Sequence, residues 1–188
     1  MSLTSMWIHG NALAVEDPGE YADIRHRGWA TELDFNPIPV DSDDSNYRNS
    51  HIPIPTPASV DGASPMLTKI TILFETDPNL FVSQVDVWDG NVPVAQFPAD
   101  ASPEAPAGAF TGNMSHLTPD RTNQLTLNPP YKVQYGIGVS LRCLPMDSPA
   151  LKLTLAAVGA DFVFPNPPII EREAKSETSV RAPVRGAH

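Results

Sequence analysis

The residues that could do chemistry include five histidines, and their spacing does not suggest a local metal site. No two of them stand at the i, i+2 or i, i+4 spacing that lets one strand or helix present two ligands. A site could form only if the fold brought His9 and His51 together with a carboxylate such as Asp86 or Asp161. We therefore predict no metal ligand and no cofactor, and we expect the histidines to make structural hydrogen bonds.

The acidic segment DSDDSN, residues 41–46, has some features of a calcium-binding loop. Asp41, Asp43 and Ser45 occupy the first three ligand positions of such a loop. Asn46, however, stands where the loop needs glycine, and Ile52 stands where the bidentate glutamate belongs. The pattern favours a solvated acidic loop, which also includes Asp44.

Residues for covalent or acid–base catalysis are equally hard to assign. Ser140 lies between two apolar residues on a predicted strand, whereas an activated serine usually sits on a sharp turn. Asp86 and Asp89 resemble ordinary surface acids as much as a paired-carboxylate site. The single cysteine, Cys143, falls on an apolar strand face and is predicted to be a buried small hydrophobe. We assign no catalytic residue.

A binding pocket is the remaining hypothesis for a chemical site. It would lie at one end of the fold and would be lined by His9, His51, Trp88 and the acidic loop, with Asp86 as a further ligand-binding candidate. The three tryptophans could form a platform for stacking a sugar. Their alternative role is packing against the core or a sheet face.

The segment YKVQYGIGVSLRC, residues 131–143, is the strongest structural pattern and must position several of these residues. Its apolar and polar side chains alternate with a period of two, which predicts a β-strand with one face in the core. Gly136 and Gly138 fall on the polar face. Glycines there allow a bend, a bulge or the close approach of a ligand.

Further strands are predicted elsewhere in the chain, and two of these segments show the same alternation. Ile70, Ile72 and Phe74 alternate with Lys69, Thr71, Leu73 and Glu75. A strand over residues 80–88 ends in the hairpin dipeptide Asp89-Gly90 and returns over residues 92–97. The alternation in residues 151–164 changes phase around residues 156–159, as a β-bulge would cause. About eight to ten short strands with regular turns predict an all-β fold, an antiparallel β-sandwich of jelly-roll type.

Twenty-one prolines shape what surrounds the predicted sandwich. Residues 47–57, with three alternating prolines, are predicted to form an edge or polyproline segment. Residues 98–109 form a proline- and alanine-rich loop. We predict a β-sandwich domain over residues 1–164 and a proline-rich, mixed-charge arm over residues 165–188. The predicted assembly residues in these segments are Ile52, Ile54, Pro167, Pro168, Ile169 and Ile170.

Charge and hydropathy exclude several classes of partner. The formal net charge of −10 argues against nucleic acid, which needs clustered lysine and arginine. No apolar run is long enough for a membrane span, and the N-terminus does not resemble a secretory signal. The default expectation is a cytoplasmic protein, with non-classical export or a place in a particle left open.

Six short motifs follow one another along the chain: WIHG at 7–10, RGW at 27–29, HIPIPTP at 51–57, VDVWDG at 85–90, YGIGVSL at 135–141 and VGADF at 158–162. Their order resembles that of a family of small uncharacterised bacterial proteins. That family shows W-x-H-G, P-T-P, V-x-V-[YW]-D-G, G-[IL]-G-[IV]-S and G-x-D-F in succession. The resemblance covers residues 7–164 and implies a single β-sandwich domain without a known activity. The proline- and alanine-rich loop and the arm depart from the family pattern.

These observations lead to two main functional hypotheses. The first is a non-catalytic sandwich that forms a homo-oligomer or polymer, with its arms and edge strands as assembly elements. The alternative is a protein that binds a small molecule or carbohydrate, or an enzyme, with a pocket near His9, His51 and Trp88. A structural component of a particle is a third hypothesis, which rests on fold analogy.

Overall fold

The computed structural model of the chain describes residues 2–37, 47–59, 62–98, 117–119, 123–145 and 151–165. In these segments, eleven strands form two antiparallel sheets that enclose one hydrophobic core. The strands are β1 (Ser2–His9), β2 (Ala14–Val15), β3 (Tyr21–His26), β4 (Thr31–Phe35), β5 (Arg48–Pro53), β6 (Met66–Thr76), β7 (Leu80–Asp89), β8 (Val92–Pro98), β9 (Gln124–Lys132), β10 (Ile137–Pro145) and β11 (Lys152–Phe164).

Sheet A has the strand order β3-β4-β11-β6-β9, and β1 also pairs with β11. The long strand β11 holds β6 along one side and first β4, then β1, along the other. Sheet B has the order β2-β5-β10-β7-β8. Within the described segments, the β3–β4 and β7–β8 pairs are consecutive strands of one sheet, while the other connections change sheet, as in a jelly roll. The predicted all-β, antiparallel β-sandwich is confirmed.

The period-two patterns place the core side chains as predicted. Ile137, Val139, Leu141 and Cys143 of β10 are all buried, and the residues between them face away from the core. In β6 the residues Ile70, Ile72 and Phe74 are buried in the same way. The predicted phase change in β11 is also present, because the register with β6 shifts between Leu155 and Ala157. Buried positions are therefore Leu153 and Leu155 before the shift, and Val158, Ala160 and Phe162 after it.

The strand predicted over residues 131–143 is wrong in its first part. Its opening residues end β9 in sheet A, whereas β10 begins at Ile137 in sheet B. Residues 133–136 connect the two sheets, and three of their backbone N–H groups donate to the carboxylate of Asp89. The turn therefore depends on a side chain about 45 residues earlier, which local alternation cannot report.

Cys143 and the two isoleucines of the proline-rich segment lie in the core. Burial raises the pKa of the Cys143 thiol to about 12, which agrees with a structural role and leaves little reactive thiolate at neutral pH. Ile52 and Ile54 are 1% and 5% exposed. Their predicted place on an assembly surface needs correction, because these side chains pack inside the sandwich. Strand β5 also has neighbours on both sides, although β2 covers only two of its residues.

Several predictions concern residues outside the described segments. They are the acidic cluster Asp41, Asp43 and Asp44, residues 99–109 of the proline- and alanine-rich loop, and the assembly residues Pro167, Pro168, Ile169 and Ile170. The last described strand ends at Phe164. Across the described residues, no helix is long and apolar enough to cross a membrane.

Candidate functional site

The outer face of sheet B, the face turned away from the core, carries the candidate site. Gly138, Ser140 and Arg142 of β10 lie on this face, because side chains alternate along the strand and the residues between these three are buried. Alternation along β7 sends Asp86 and Trp88 to the same face. Cross-strand pairing then aligns these side chains in rows that run perpendicular to the strands.

Two rows form the centre of this face. The first row has flat or small residues, which are Pro53, Gly138, Trp88 and Pro93. The second row is mostly polar and consists of Ala14, His51, Ser140, Asp86 and Gln96. An aromatic side chain flanked by small residues thus lies beside a line of hydrogen-bonding groups.

A groove of about 400 Å³ opens over the two rows on one side of Trp88. We call it groove 1. Its lining includes His51 and Pro53 from β5, Gly138 and Ser140 from β10, and Trp88 from β7. Its lining comes from strands of sheet B and from Gly90 in the turn between β7 and β8.

Gly138 forms part of the floor of groove 1, and the fold itself does not require a glycine there. Among the described residues, and apart from its two chain neighbours, no atom lies within 4 Å of a Cβ atom added at Gly138, and the backbone φ is not left-handed. Glycine inside a strand costs roughly 0.5–1 kcal/mol relative to alanine. No packing contact thus explains why the strand has a destabilising glycine here. The missing side chain leaves free space above the sheet. Glycine at such a position is typical of a place where a ligand approaches the backbone closely.

A second groove, groove 2, of about 310 Å³, lies on the other side of Trp88. Asp86, Trp88, Pro93, Gln96 and Arg142 contribute to its lining. The amide nitrogen of Gln84 donates to Asp86 Oδ1 at 2.7 Å, which fixes the carboxylate on the sheet surface. Trp88 is therefore a wall shared by both grooves.

His51 has two polar neighbours on the site. Its Nδ1 lies 2.8 Å from Ser140 Oγ, and its Nε2 lies 4.0 Å from a carboxylate oxygen of Glu16. Asn49 donates to that same oxygen at 2.8 Å. The residue types match a hydrolase triad, but β10 pairs with β5 on one side and β7 on the other around Ser140. The N–H groups beside Ser140 are thus engaged in the sheet and cannot form an oxyanion hole.

Asp89, next to Trp88, anchors the end of the site. The N–H groups of Gln134, Tyr135 and Gly136 donate to its carboxylate at 2.7, 2.8 and 2.7 Å, and the Tyr131 hydroxyl does so at 3.2 Å. Burial by itself would raise the pKa of this carboxyl, but the four hydrogen bonds to its charged form outweigh burial and lower the pKa. Asp89 is thus a buried, charged structural residue that ties β7 to the start of β10.

The structure brings together three of the four residues predicted to line a pocket. His51 and Trp88 line groove 1, and Asp86 lies in the next position along the polar row. His9 lies outside both grooves, because it ends β1 in sheet A. Its Nδ1 accepts a hydrogen bond from the N–H of Asn11 at 3.1 Å and caps a three-residue 3-10 turn.

The residues considered as metal ligands are not clustered. Asp161 is in sheet A, where it accepts a hydrogen bond from Ser5 at 2.6 Å and pairs with Lys69 at 3.0 Å. Over the part of the chain that the structure describes, no three histidine, cysteine or acidic side chains are close enough to hold a metal ion.

The three tryptophans do not form one platform. Trp7 lies on β1 in sheet A, and Trp29 lies in the turn between β3 and β4. Trp88 alone belongs to sheet B. The sequence indicated Gly138 as a point of close approach, but it gave no reason to select Pro53, Pro93, Gln96 or Arg142. The only available signal was their outward phase, which does not reveal which strands are neighbours.

No protein-family model and no curated protein matches the sequence. Among solved structures, the chain is similar to a low-affinity xylan-binding module from the xylanolytic gut symbiont Roseburia intestinalis. The two chains are 12% identical, the alignment covers 86% of this chain and 96% of the other, and the TM-score is 0.44. Because a likeness of this size assigns neither a family nor a ligand, the functional interpretation depends on the geometry of the two grooves.

Proposed function

We propose that the chain is a non-catalytic carbohydrate-binding module whose ligand lies on the outer face of sheet B. The observation that carries the proposal is the open space above Gly138, directly across the strands from Trp88. A sugar ring placed there would lie against the backbone, with the indole on one side. This is the alternative hypothesis from the sequence with two corrections: the pocket lies on a sheet face and not at one end of the fold, and His9 is not part of it.

The physical basis is that a sugar has two kinds of surface. Its C–H groups are apolar and pack on aromatic rings, while its hydroxyls need donors and acceptors. Trp88 supplies a large apolar surface at a small cost in side-chain entropy. His51 and Ser140 supply hydrogen bonds at the floor of the same groove. The combination of an apolar wall with a few convergent polar groups suits a polyhydroxylated ligand.

An enzymatic role for the same groove has less support. The Ser140, His51 and Glu16 side chains stand in a row, but the nucleophile lies in mid-strand without free N–H groups beside it. Stabilisation of an oxyanion is usually the largest contribution to acyl-transfer catalysis. Hydrogen bonding to a bound hydroxyl needs no such feature, so binding fits this geometry better than hydrolysis.

The hypothesis of self-association stays a prediction. Its two described residues, Ile52 and Ile54, are buried, so it now depends on the arm over residues 165–188, which is outside the described segments apart from Pro165. The resemblance to the family of small bacterial β-sandwich proteins and the cytoplasmic location also stay predictions.

Affinity electrophoresis of the full chain in gels that contain neutral plant or microbial polysaccharides tests the proposal. We expect at least one polysaccharide to retard the protein, and Trp88→Ala to abolish the retardation. The matched control is Trp7→Ala, which removes the same side chain from the opposite face and should be retarded as strongly as the wild type. Equal loss in both variants, or no retardation by any polysaccharide in the panel, would count against the proposal.

A further inference from the structure

We infer that the ligand is a linear, neutral oligosaccharide that runs across the strands of sheet B and passes over Trp88 from groove 1 into groove 2. This inference rests on the proposed function and adds the length, direction and charge of the ligand. It comes from the position of Trp88, which lines both grooves.

The direction follows from the strand order. Groove 1 begins at Ala14 on β2 and reaches Trp88 on β7, whereas groove 2 extends from Trp88 to Gln96 on β8. The two grooves together cross all five strands of sheet B, in the order β2-β5-β10-β7-β8. Four spacings of about 4.8 Å between neighbouring strands give a path of roughly 19 Å. A single sugar ring is too short to fill this path, while a chain of several rings can span it.

The surface along the path favours an extended chain over a compact one. Pro53, Gly138 and Pro93 keep the row around Trp88 low, because none of them carries a long side chain. Hydrogen-bonding groups accompany the row along its whole length, from His51 and Ser140 to Gln96. A ring in either groove would therefore meet a low surface below it and polar groups beside it, and the ring between the grooves would pack on the Trp88 indole.

The charge of the ligand follows from groove 2. Its lining contains one carboxylate, Asp86, and one guanidinium, Arg142. The Arg142 guanidinium lies over the Tyr47 ring at 5.4 Å from the ring centre, an arrangement that leaves its in-plane N–H groups able to donate. A neutral hydroxyl can accept from Arg142 and donate to Asp86, whereas an acidic sugar would gain from one group and lose to the other. Beside groove 1, Glu16 adds a second carboxylate 4.0 Å from His51 Nε2.

Calorimetric titration with oligosaccharides of increasing length tests the inference. The probes are the monosaccharide and the linear di-, tetra- and hexasaccharides of the neutral polysaccharide that retards the protein most. We expect the affinity to rise by about tenfold or more from disaccharide to tetrasaccharide, because rings in groove 2 are held next to rings already bound in groove 1. The gain from tetrasaccharide to hexasaccharide should be small, because β8 is the edge strand of sheet B among the described segments.

The double variant Gln96→Ala/Arg142→Ala tests whether groove 2 is the source of the higher affinity for the tetrasaccharide. It should lose most of the advantage of the tetrasaccharide, while its affinity for the disaccharide stays close to that of the wild type. An unchanged thermal unfolding midpoint would show that the face is intact. If the variant loses affinity equally for both lengths, the assignment of groove 2 is overturned.

The remaining outcomes separate this inference from the proposed function. Equal affinity for the monosaccharide and the hexasaccharide would overturn the linear ligand but leave carbohydrate binding in place. A uronic-acid-bearing chain that binds more tightly than its neutral counterpart would overturn the neutral ligand. Failure of every saccharide to bind would overturn the inference and the proposed function together.

Discussion

The two sheets each contain a tryptophan directly opposite a glycine on the neighbouring strand, and the two pairs are built differently. In sheet A, Trp7 pairs with Gly159, and a Cβ atom on that glycine would lie 2.6 Å from the indole ring. In sheet B, Trp88 pairs with Gly138, and a Cβ atom there would have no neighbour within 4 Å in the part of the chain that the structure describes, chain neighbours aside. The same cross-strand pair is closed on one face of the molecule and open on the other.

The closed pair is explained by stability. The Trp7 ring covers the bare backbone at Gly159, which is buried as a result, and this compensates for the missing side chain. The open pair has no such compensation, since no Trp88 atom lies within 4 Å of a Cβ atom placed at Gly138, which is half-buried. A glycine with open space above it beside an aromatic ring is therefore a better sign of a binding surface than either residue alone.

The surroundings of the two pairs differ as well. Near Trp7, the polar side chains satisfy one another, as Ser5, Asp161 and Lys69 do. Beside Trp88, polar side chains also pair, His51 with Ser140 and Gln84 with Asp86, but His51, Ser140 and Asp86 line the two grooves. The buried carboxylate of Asp89 fixes the loop that leads into β10. A rigid support beneath an unfilled surface is what pre-organised binding needs.

The largest expected effect comes from Asp89→Asn, which removes the charged support of the open pair. An asparagine can accept from fewer of the N–H groups of residues 134–136, and its own amide would face some of them. We expect a loss of about 3 kcal/mol in the free energy of unfolding, measured by urea denaturation at pH 7.

The pH dependence of the wild type provides the control for Asp89→Asn. The pKa of Asp89 is lower in the folded protein than in the unfolded chain. The contribution of its charge to the free energy of unfolding is therefore fully present above the unfolded pKa of about 4. It is lost as the pH falls through the lower folded pKa. The difference in stability between wild type and variant should therefore shrink below pH 4, and a difference that stays constant down to pH 2 would contradict this role.

The second largest effect is expected for Gly138→Leu, which should weaken oligosaccharide binding without lowering stability. The new side chain would extend into groove 1, and we expect the affinity for the oligosaccharide to fall by at least about tenfold, or 1.4 kcal/mol. Because a Cβ atom meets no clash there, the thermal unfolding midpoint should stay the same or rise slightly. Retained binding in this variant would mean that the open space is not the ligand site.

The smallest effect is expected for Gly159→Ala, the matched change in the closed pair. The methyl group would collide with the Trp7 ring, which is 45% exposed and able to move outward. We expect a loss of about 1 kcal/mol in unfolding free energy, measured in the same urea series, with no change in carbohydrate affinity. If Gly159→Ala weakened binding as much as Gly138→Leu, the two faces would not have separate roles.

Much of the fold could be predicted from the sequence, because alternation is a local property. The buried faces of β6 and β10 and the bulge in β11 all follow from residues within one strand. The turn over residues 133–136 could not be predicted in this way, since the donors and the Asp89 carboxylate are far apart in the chain. The period-two alternation of apolar residues continues without interruption from β9 through that turn into β10, so the pattern gives no sign of the turn.

The sequence by itself determined the sandwich, the outward position of Gly138 and the buried thiol of Cys143, since each depends on the period-two pattern within strands. It also identified His51 and Asp86 as polar candidates but gave no means of separating them from His9. Only the tertiary structure decided which strands are neighbours, and hence that His51, Ser140, Asp86 and Gln96 form one row. Tertiary packing also decided that Trp7 covers its glycine while Trp88 leaves its own open, because the direction of a ring depends on what surrounds it.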